Sequence, residues 1–393
     1  MAAESHPGAW VERVRSRMDT QQAGRVLIAG GGIAGLAVRR ALHQRGIPSL
    51  TLERRGVQTE AGLAINLPGN AVRSLSRLGL LDGLRETGSP VRRREYRTAR
   101  GRLLFAVDEE AFWGSETVSH CLRRADLLRL LQRGMPDDDI RQGAGIAGIQ
   151  LDPQAARVER EDGTIESGAL LVGADGVHST VRRDLFGDRA LGAAMLASQS
   201  WRFMTANPGI KAWTLWAGAG ALFLLIPVDR DEAYGWVSAT TERGDSTGPA
   251  DIRGAFATFP RLVRDTLDAA LSRPDAIYHS PLEEVRIAAW ARDRVVLLGD
   301  AAHATAPVWA QGAALALEDA LVLARLLAER SDWTGVGAEY ERLRRPRVEH
   351  VQRMTDRLSR TARWPDWARN LLLPVVGPRS YRATYDPLRT SVI

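Results

Sequence analysis

Gly30-Gly31-Gly32-Ile33-Ala34-Gly35, set between two short apolar runs, constrains this chain more than any other stretch. Val26 to Ala29 has the continuous apolar character of a buried parallel strand. Leu36 to Arg45 reads as a helix closed by Gly46, and Ser49 to Leu52 supplies a second strand. The three together make a βαβ unit. Gly30 permits the tight turn, Gly32 lets the backbone approach a pyrophosphate, and Gly35 lets helix and strand pack closely. Amides opening the helix, at Ile33 and Ala34, carry the partial positive charge that holds phosphates. Glu53 follows Gly35 at about the 20-residue distance expected of a carboxylate that accepts from a ribose hydroxyl. A glycine-rich turn in some other α/β protein leaves Glu53 unexplained, so a dinucleotide site is expected here.

Around this unit the chain has 393 residues, enough for two domains or one large composite. No apolar run approaches the roughly 20 residues of a membrane span, and the N-terminal stretch lacks the apolar segment of a signal peptide. Cys121 is the only cysteine, which excludes an internal disulfide and fits a reducing cytoplasm. It is expected as buried filler near a helix start rather than as a nucleophile. A net charge of +6 and a pI near 10.0 raise the question of nucleic acid. Lys211 is the only lysine, however, and the arginines are scattered among acids, with Arg92-Arg93-Arg94 the densest cluster. No nucleic-acid module signature accompanies them, so the reading is a solvated arginine-rich surface, with no nucleic-acid partner and no stable membrane insertion.

Residues 1–24 are polar and loosely patterned and are expected to form a disordered tail, with a frayed helix over Ala9–Met18. Pro68-Gly69-Asn70 opens an amphipathic helix with Val72, Leu75 and Leu78 on one face and Asn70 as N-cap. Arg92–Val107 alternates about a turn at Arg100-Gly101 and reads as a hairpin; Leu122–Gln132 reads as a helix. Ala147–Leu151, Ala156–Glu161 and Ile165–Val172 read as strands. Ser198–Val285 is rich in tryptophan and in short alternating strands. Arg294–Leu298 is one more buried strand, and from Ala313 the chain is helical, with breaks expected at Gly335–Gly337, Pro346 and Pro365.

Two further motifs each run a strand into a turn: LLVGADGVHSTVR over Leu170–Arg182 and VVLLGDAAHATAP over Val295–Pro307. Asp-Gly and Gly-Asp are common turn dipeptides singly; all three motifs in this order are not. On them, together with Glu53-Arg54, the helix NAVRSLSRLGL and Arg124-Ala125-Asp126-Leu127, the chain resembles the FAD-dependent aromatic hydroxylases. These are the single-component class A flavoprotein monooxygenases of the salicylate and para-hydroxybenzoate hydroxylase kind. The resemblance runs from about Arg25 to Leu327. It implies an α/β fold in which a Rossmann-type FAD-binding domain carries an inserted, mostly antiparallel β-sheet substrate domain and C-terminal helices. The expected division is 25–90, 116–191 and 289–327 for FAD, 91–115 and 192–288 for substrate, and 328–393 for a helical segment. FAD is the implied cofactor, NADPH or NADH the reductant, and O2 and a small aromatic molecule the other partners. A cytoplasmic monomer or homodimer is expected.

The family pattern then assigns roles. Gly30, Gly32, Ile33, Ala34, Gly35 and Glu53 would hold the pyrophosphate and ribose, and Arg54 and Arg124 would lie along the phosphates or ribityl chain. Asp175 would serve FAD or nicotinamide, and Asp300 a ribityl hydroxyl. Pro307, Gln311 and Gly312 stand where the family has Pro-x-x-Gly-Gln-Gly and are the catalytic candidates. The amides of Gly312 and Ala313 would face the flavin's pyrimidine edge. Ala310 replaces the first glycine of that pattern, setting a Cβ against the positive φ that glycine permits. The implied chemistry is hydride transfer from NAD(P)H, addition of O2, and oxygen transfer from a flavin C4a-hydroperoxide. Its target would be an electron-rich aromatic or polyketide-like molecule, hydroxylated or epoxidised. Substrate candidates are Trp213, Phe223, Trp236 and Trp309, as walls of an apolar pocket, and Arg202, an arginine in an otherwise apolar strand. His178 and His303 are expected to be structural, and no metal site is expected. The alternatives are a flavin oxidoreductase without oxygen insertion, halogenase-like or prenyl-reductase-like, and a non-catalytic FAD-binding protein. The halogenase Trp-x-Trp-x-Ile-Pro signature is absent.

Overall fold

Val26–Ala29 is buried at every position and lies inside a six-stranded sheet of the computed structural model. That structure describes residues 24–56, 63–153, 155–187, 191–193, 199–218, 220–239, 249–362 and 364–392. The expected N-terminal tail and its helix therefore fall outside the described residues, Gly24 apart. Ser49–Glu53 and Leu170–Gly173 pair with the central strand in parallel, so that Ile28 stands between Thr51 and Val172. Ile140–Gln142 and Val295–Leu297 extend the parallel set outward, and antiparallel Ala291–Arg292 ends it. Strands covered on both faces must be apolar along their length, as VLIA, LLVG and VVL are. Helices Ile33–His43 and Gly312–Ala328 pack together beside this sheet. Their closeness to it depends on Gly35, where a Cβ would collide with the Gly30 carbonyl.

The second sheet has seven strands in the order Tyr278–Pro281, Gln199–Ala206, Glu232–Ala239, Ala221–Pro227, Trp213–Gly218, Arg93–Thr98, Leu103–Asp108. Only the junction of Trp213–Gly218 with Arg93–Thr98 is parallel. One face is covered by helices Pro249–Ala255 and Arg261–Leu271, which with Phe256 pack over Phe203 and Phe223, and the other looks into a cavity. The whole is the α/β architecture that the resemblance implies.

Several local expectations are corrected. Ile165–Val172 is two strands. Ile165–Gly168 completes a three-stranded meander, while Leu170–Gly173 enters the parallel sheet. The break falls at Ala169, just after Gly168, where the backbone passes so near Arg25 that a Cβ would stand 2.8 Å from its carbonyl oxygen. Leu122 belongs to a strand, His120–Arg123, paired with Ala64–Leu67, and the helix begins at Arg124. Cys121 sits buried in that strand, and burial pushes its thiol up, away from the thiolate a nucleophile needs. Pro68, not Asn70, caps helix Gly69–Arg77. Pro346 does not break helix Val336–Ala362. Arg344 and Arg347 fasten the turns around the missing backbone donor to Glu318 and Asp319, and Arg345 pairs with Glu341 in its own helix.

Candidate active site

The glycine-rich loop presents its backbone rather than side chains. Gly30 has φ +101°, and a Cβ there would stand 2.5 Å from the Ala174 carbonyl oxygen. At Gly32 nothing lies within 4 Å of a would-be Cβ, so one side of the loop is open. The 11-residue helix that follows has no capping side chain and no acid in its first turn, which leaves its first amides free for an anion. Glu53 accepts from the Gly31 amide with Oε2 and from the Arg55 amide with Oε1, at 2.8 Å for the latter. Each oxygen keeps a lone pair for a further donor.

A cavity of about 920 Å³ lies against the open face of the seven-stranded sheet, lined also by Arg55, Arg124, Asp300 and Gly312. Gly299, at φ +56°, lets the chain cross the first turn of the nucleotide helix; a Cβ there would press on Ala34 and Ala316 at 3.0 and 3.2 Å. Asp300 follows, facing the cavity, with no hydrogen-bond partner among the described residues. Enclosure by protein pushes its carboxyl above the ordinary range, opposed by His303, Arg124 and Arg202. Arg124 lines the same wall, and its guanidinium also lacks a hydrogen-bond partner among the described residues. Burial lowers its pKa while Asp300 raises it. Open helix amides, with an acceptor carboxylate and a spare guanidinium following the loop that crosses that helix's first turn at Gly299, are the donors and acceptors that a dinucleotide's phosphates and hydroxyls require. The residues present fit FAD.

Beyond Asp300, Pro307–Trp309 form a single tight turn, and Ala310 takes φ +52°, ψ 34°. The left-handed conformation is kept despite the Cβ, at a cost of about 1–2 kcal/mol. What holds it is a buried polar chain. Gln311, 1% exposed, exchanges amide hydrogen bonds with Asn70: 3.0 Å from Asn70 Nδ2 and 3.2 Å to Asn70 Oδ1. Asn70 also donates to Glu318 at 3.0 Å. Glu318 pairs with Arg344 at 2.9 Å and Arg347 at 2.7 Å. Asp319 pairs with Arg344 and with His303, both at 2.7 Å, and accepts from the Gly299 amide at 3.1 Å. Burial alone would raise the Asp319 carboxyl, but His303 and Arg344 overcome it and hold the pKa at about 2. One connected network thus ties both cavity loops, Gly299–Asp300 and Ala310–Gly312, to the long helices behind them.

The opposite wall is the open face of the seven-stranded sheet. Register sets Tyr278, Arg202, Trp236, Leu224, Leu215, Tyr96 and Phe105 in one row, one residue from each strand. All seven line the cavity. The row begins with a cation and ends in a stacked pair, Tyr96 on Phe105 at 4.2 Å. Arg202 donates to Ser280 at 3.0 Å and lies over the Tyr278 ring, with its buried Nε unpartnered. In the adjoining row Arg94 pairs with Glu109 at 2.7 Å and lies over Trp213 at 5.2 Å. Ser119 and Tyr381 also donate to Glu109, which spends both oxygens on these partners. Burial pushes the Tyr96, Tyr381 and Tyr385 hydroxyls up, so they remain neutral donors, and Tyr385 donates to the Trp309 carbonyl at 2.7 Å.

With this geometry in place, comparison with known proteins is decisive: the profile of the FAD binding domain family matches residues 24–357. The chain belongs to the FAD-dependent aromatic monooxygenases. It is 34% identical to the 2-heptyl-3-hydroxy-4(1H)-quinolone synthase of Pseudomonas aeruginosa (strain UCBPP-PA14), over 93% of this chain and 98% of that protein. It is 33% identical to a 3-amino-4-hydroxybenzoate 2-monooxygenase of Streptomyces cremeus, over 92% and 93%. The crystal structure of Klebsiella pneumoniae HpxO complexed with FAD and uric acid superposes with a TM-score of 0.76 at 26% identity, covering 93% and 92%. These relatives support the monooxygenase reading and not the halogenase-like or prenyl-reductase-like alternative.

Within this monooxygenase nine of the nineteen sequence-predicted residues converge on the cavity, while Gly30, Gly32, Ile33, Ala34, Gly35 and Glu53 stand outside its lining. Arg124, Asp300, Pro307, Gly312, Ala313, Arg202, Trp213, Trp236 and Trp309 all line it. Others fall elsewhere. Phe223 is a correction: it lies on the covered face, fully buried among Phe203, Trp216 and Phe256, because alternation sends Leu222 and Leu224 to the cavity instead. Arg54 is exposed and off the wall, where Arg55 stands in its place. The side chain of Gln311 points away, into the Asn70 pair. Asp175 is engaged locally, accepting from Ser179 Oγ and from the Thr180 amide at 2.7 Å, and it caps the helix behind the turn. His303 is buried and structural through Asp319, whereas His178 is exposed on the cavity wall near Glu283 at 3.3 Å. Sequence reading missed Asn70 as a tether, the Glu318-Asp319 pair, and the Arg94–Glu109–Tyr381 cluster. Two adjacent acids inside the otherwise apolar helix GAALALEDALVLARLLA were the available signal.

Proposed function

We propose that this monooxygenase takes electrons from NADH or NADPH and places one atom of O2 on a neutral aromatic ring bearing an apolar substituent. One observation carries the reading: every arginine lining the far half of the cavity already holds an acid. Arg94 holds Glu109, Arg97 holds Glu95, and Arg369 holds Asp366. A ring with its carboxylate in that half would have to break into one of these pairs, at a cost of about 3–5 kcal/mol for a buried one. Arg202, which holds no acid among the described residues, stands at the other end with Arg124 and Asp300. A neutral ring on Trp236, Leu224 and Leu215 breaks none. The choice sides with the relative named for a heptyl quinolone over the one named for an aminohydroxybenzoate.

Bound FAD supplies the redox chemistry that links NAD(P)H to O2. Around it, Gly30, Gly32 and Gly35 with the Ile33 and Ala34 amides would cradle the pyrophosphate, and Glu53 would accept from the ribose. Arg124 and Asp300 would meet the phosphates and the ribityl chain. The Gly312 and Ala313 amides, at the start of a 17-residue helix, would favour negative charge without reorganising. Pro307 and Gln311 act by holding that loop in place. Trp309 and Trp236 exclude water from the ring. The same proposal divides the chain into FAD segments 25–90, 116–191 and 289–327 and substrate segments 91–115 and 192–288, in a cytoplasmic protein.

The test is NAD(P)H oxidation and product mass with 2-alkyl-4-quinolones set against hydroxybenzoates. Alkyl quinolones are expected to stimulate oxidation and to gain one oxygen. Stimulation confined to the carboxylated rings would overturn the substrate assignment.

A further inference from the structure

The C-terminal helix Asp366–Tyr385 presents two unlike faces. Its inner face closes the cavity with Leu373, Gly377, Ser380 and Tyr381, and a Cβ on Gly377 would collide with the Phe105 ring. Its outer face exposes Trp367 (74%), Leu371 (68%) and Val375 (58%), flanked by Leu372 and Val376, with Trp364 just ahead. The first three recur every four residues and so form one stripe. A contiguous apolar patch of this kind is seldom left to water. Toward the C-terminal end the outward side continues in Arg379 and Arg382, both exposed. Among the described residues no helix is long and apolar enough to cross a membrane, so a lipid partner would be met side-on.

We propose that this face docks on the surface of an anionic lipid bilayer, with Trp367 and Leu371 in the interfacial zone and Arg379 and Arg382 against the headgroups. Charge argues against a second copy as the occupant. The only acids of this segment, Asp366 and Asp386, already pair with Arg369 and Arg389. Two copies of the face would therefore set arginines against each other or against apolar side chains. Anionic headgroups supply the missing charge, and the chain's net charge of +6 draws it toward such a surface. A helix with Trp and Leu outward and arginine beside them lies in the plane of the interface. Docking also brings the cavity wall within one helix diameter of the lipid, about 10 Å. An apolar compound dissolved in the membrane then lies next to the pocket.

The experiment is co-sedimentation of the FAD-loaded full chain with vesicles of equal parts phosphatidylcholine and phosphatidylglycerol, and with phosphatidylcholine alone. Binding is expected on the anionic vesicles and only weakly on the neutral ones. Trp367→Ser with Leu371→Ser should lower partitioning more than about tenfold, and Arg379→Glu with Arg382→Glu should erase the preference for anionic lipid. Neither pair lines the cavity, so flavin absorbance and melting temperature should match the parent. Wild-type protein that stays in the supernatant with both vesicles sinks the proposal, as does undiminished binding by the Trp367/Leu371 variant. A dimer in sedimentation velocity that this variant dissolves, without vesicle binding, would assign the face to a second copy and likewise overturn it. The readout is lipid binding, so it stands apart from the substrate assignment.

Discussion

The crevice at Gly30–Gly35 and the cavity wall at Tyr278–Phe105 present themselves by different means. In the crevice the main chain does the work. Glycines at Gly30 and Gly35 bring backbone against backbone, Gly299 brings backbone against the Ala34 and Ala316 methyls, and the first helix amides are left free for an anion. On the wall the main chain is consumed in sheet hydrogen bonds, and only side chains reach inward, one per strand. The crevice therefore tolerates almost no change, while the wall can change its preference one residue at a time. That contrast can be broken at four points.

The largest effect is expected at Gly32. Gly32→Trp fills the open side of the loop, and the folded protein should lose FAD entirely, read as flavin absorbance per protein. Stoichiometric flavin in that variant would mean that side chains, not the loop, hold the cofactor. Next comes Asp319, which anchors the crevice loops from behind. Asp319→Ala leaves Arg344 and His303 facing an empty position and should cost about 3–5 kcal/mol in urea unfolding. The pH dependence has a definite sign. The folded pKa of about 2 lies below the ordinary 3.8. The group's contribution is therefore complete above pH 3.8 and lost as pH falls through 2, by about 2 kcal/mol. Asp319→Asn should flatten the acid limb in that window; an unchanged limb would remove Asp319 from the account.

On the wall, Glu109→Gln frees the Arg94 guanidinium. It should raise KM for a neutral substrate about tenfold and admit carboxylated rings, a swing of about 1–3 kcal/mol in preference. A variant with unaltered selectivity would show that Arg94 does not face the substrate. The smallest effect is at Ala310. Ala310→Gly should stabilise by about 0.5–1 kcal/mol, the relief of a left-handed alanine less the entropy glycine adds to the unfolded chain. A loss of stability would mean the Cβ contributes packing that outweighs its strain.

The same contrast explains what could be read from sequence. Backbone recognition leaves a local signature, since glycines, strands and a helix start fall within a few residues of one another. Gly30, Gly32, Gly35 and Asp300 were visible for that reason. The wall leaves none. In Ala221–Pro227 both faces are apolar, ALFLLIP, so alternation does not say whether Phe223 or Leu224 faces inward. Only the helices over one face decide it. Glu109 sits in Asp108-Glu109-Glu110, which reads as a solvated acidic run, yet it is fully buried against Arg94. Asn70 meets Gln311 from 241 positions away, a pairing no local pattern announces. Ala310 shows the reverse case. Its Cβ argued against positive φ, and the network through Gln311 and Asn70 imposes that backbone nonetheless.

The seven-residue row on the sheet behaves as a ruler. Neighbouring strands lie about 4.8 Å apart, so each residue from Arg202 to Phe105 is one graduation along a track that starts beside Asp300 and Arg124. Enlarging Leu224 would shorten the permitted occupant by about one step more than enlarging Leu215 does. Because the graduations come from distant parts of the chain, Arg93–Thr98 at one extreme and Tyr278–Pro281 at the other, no single loop insertion rescales the track. Length selection by this wall would therefore be inherited from strand register and revised by point substitution.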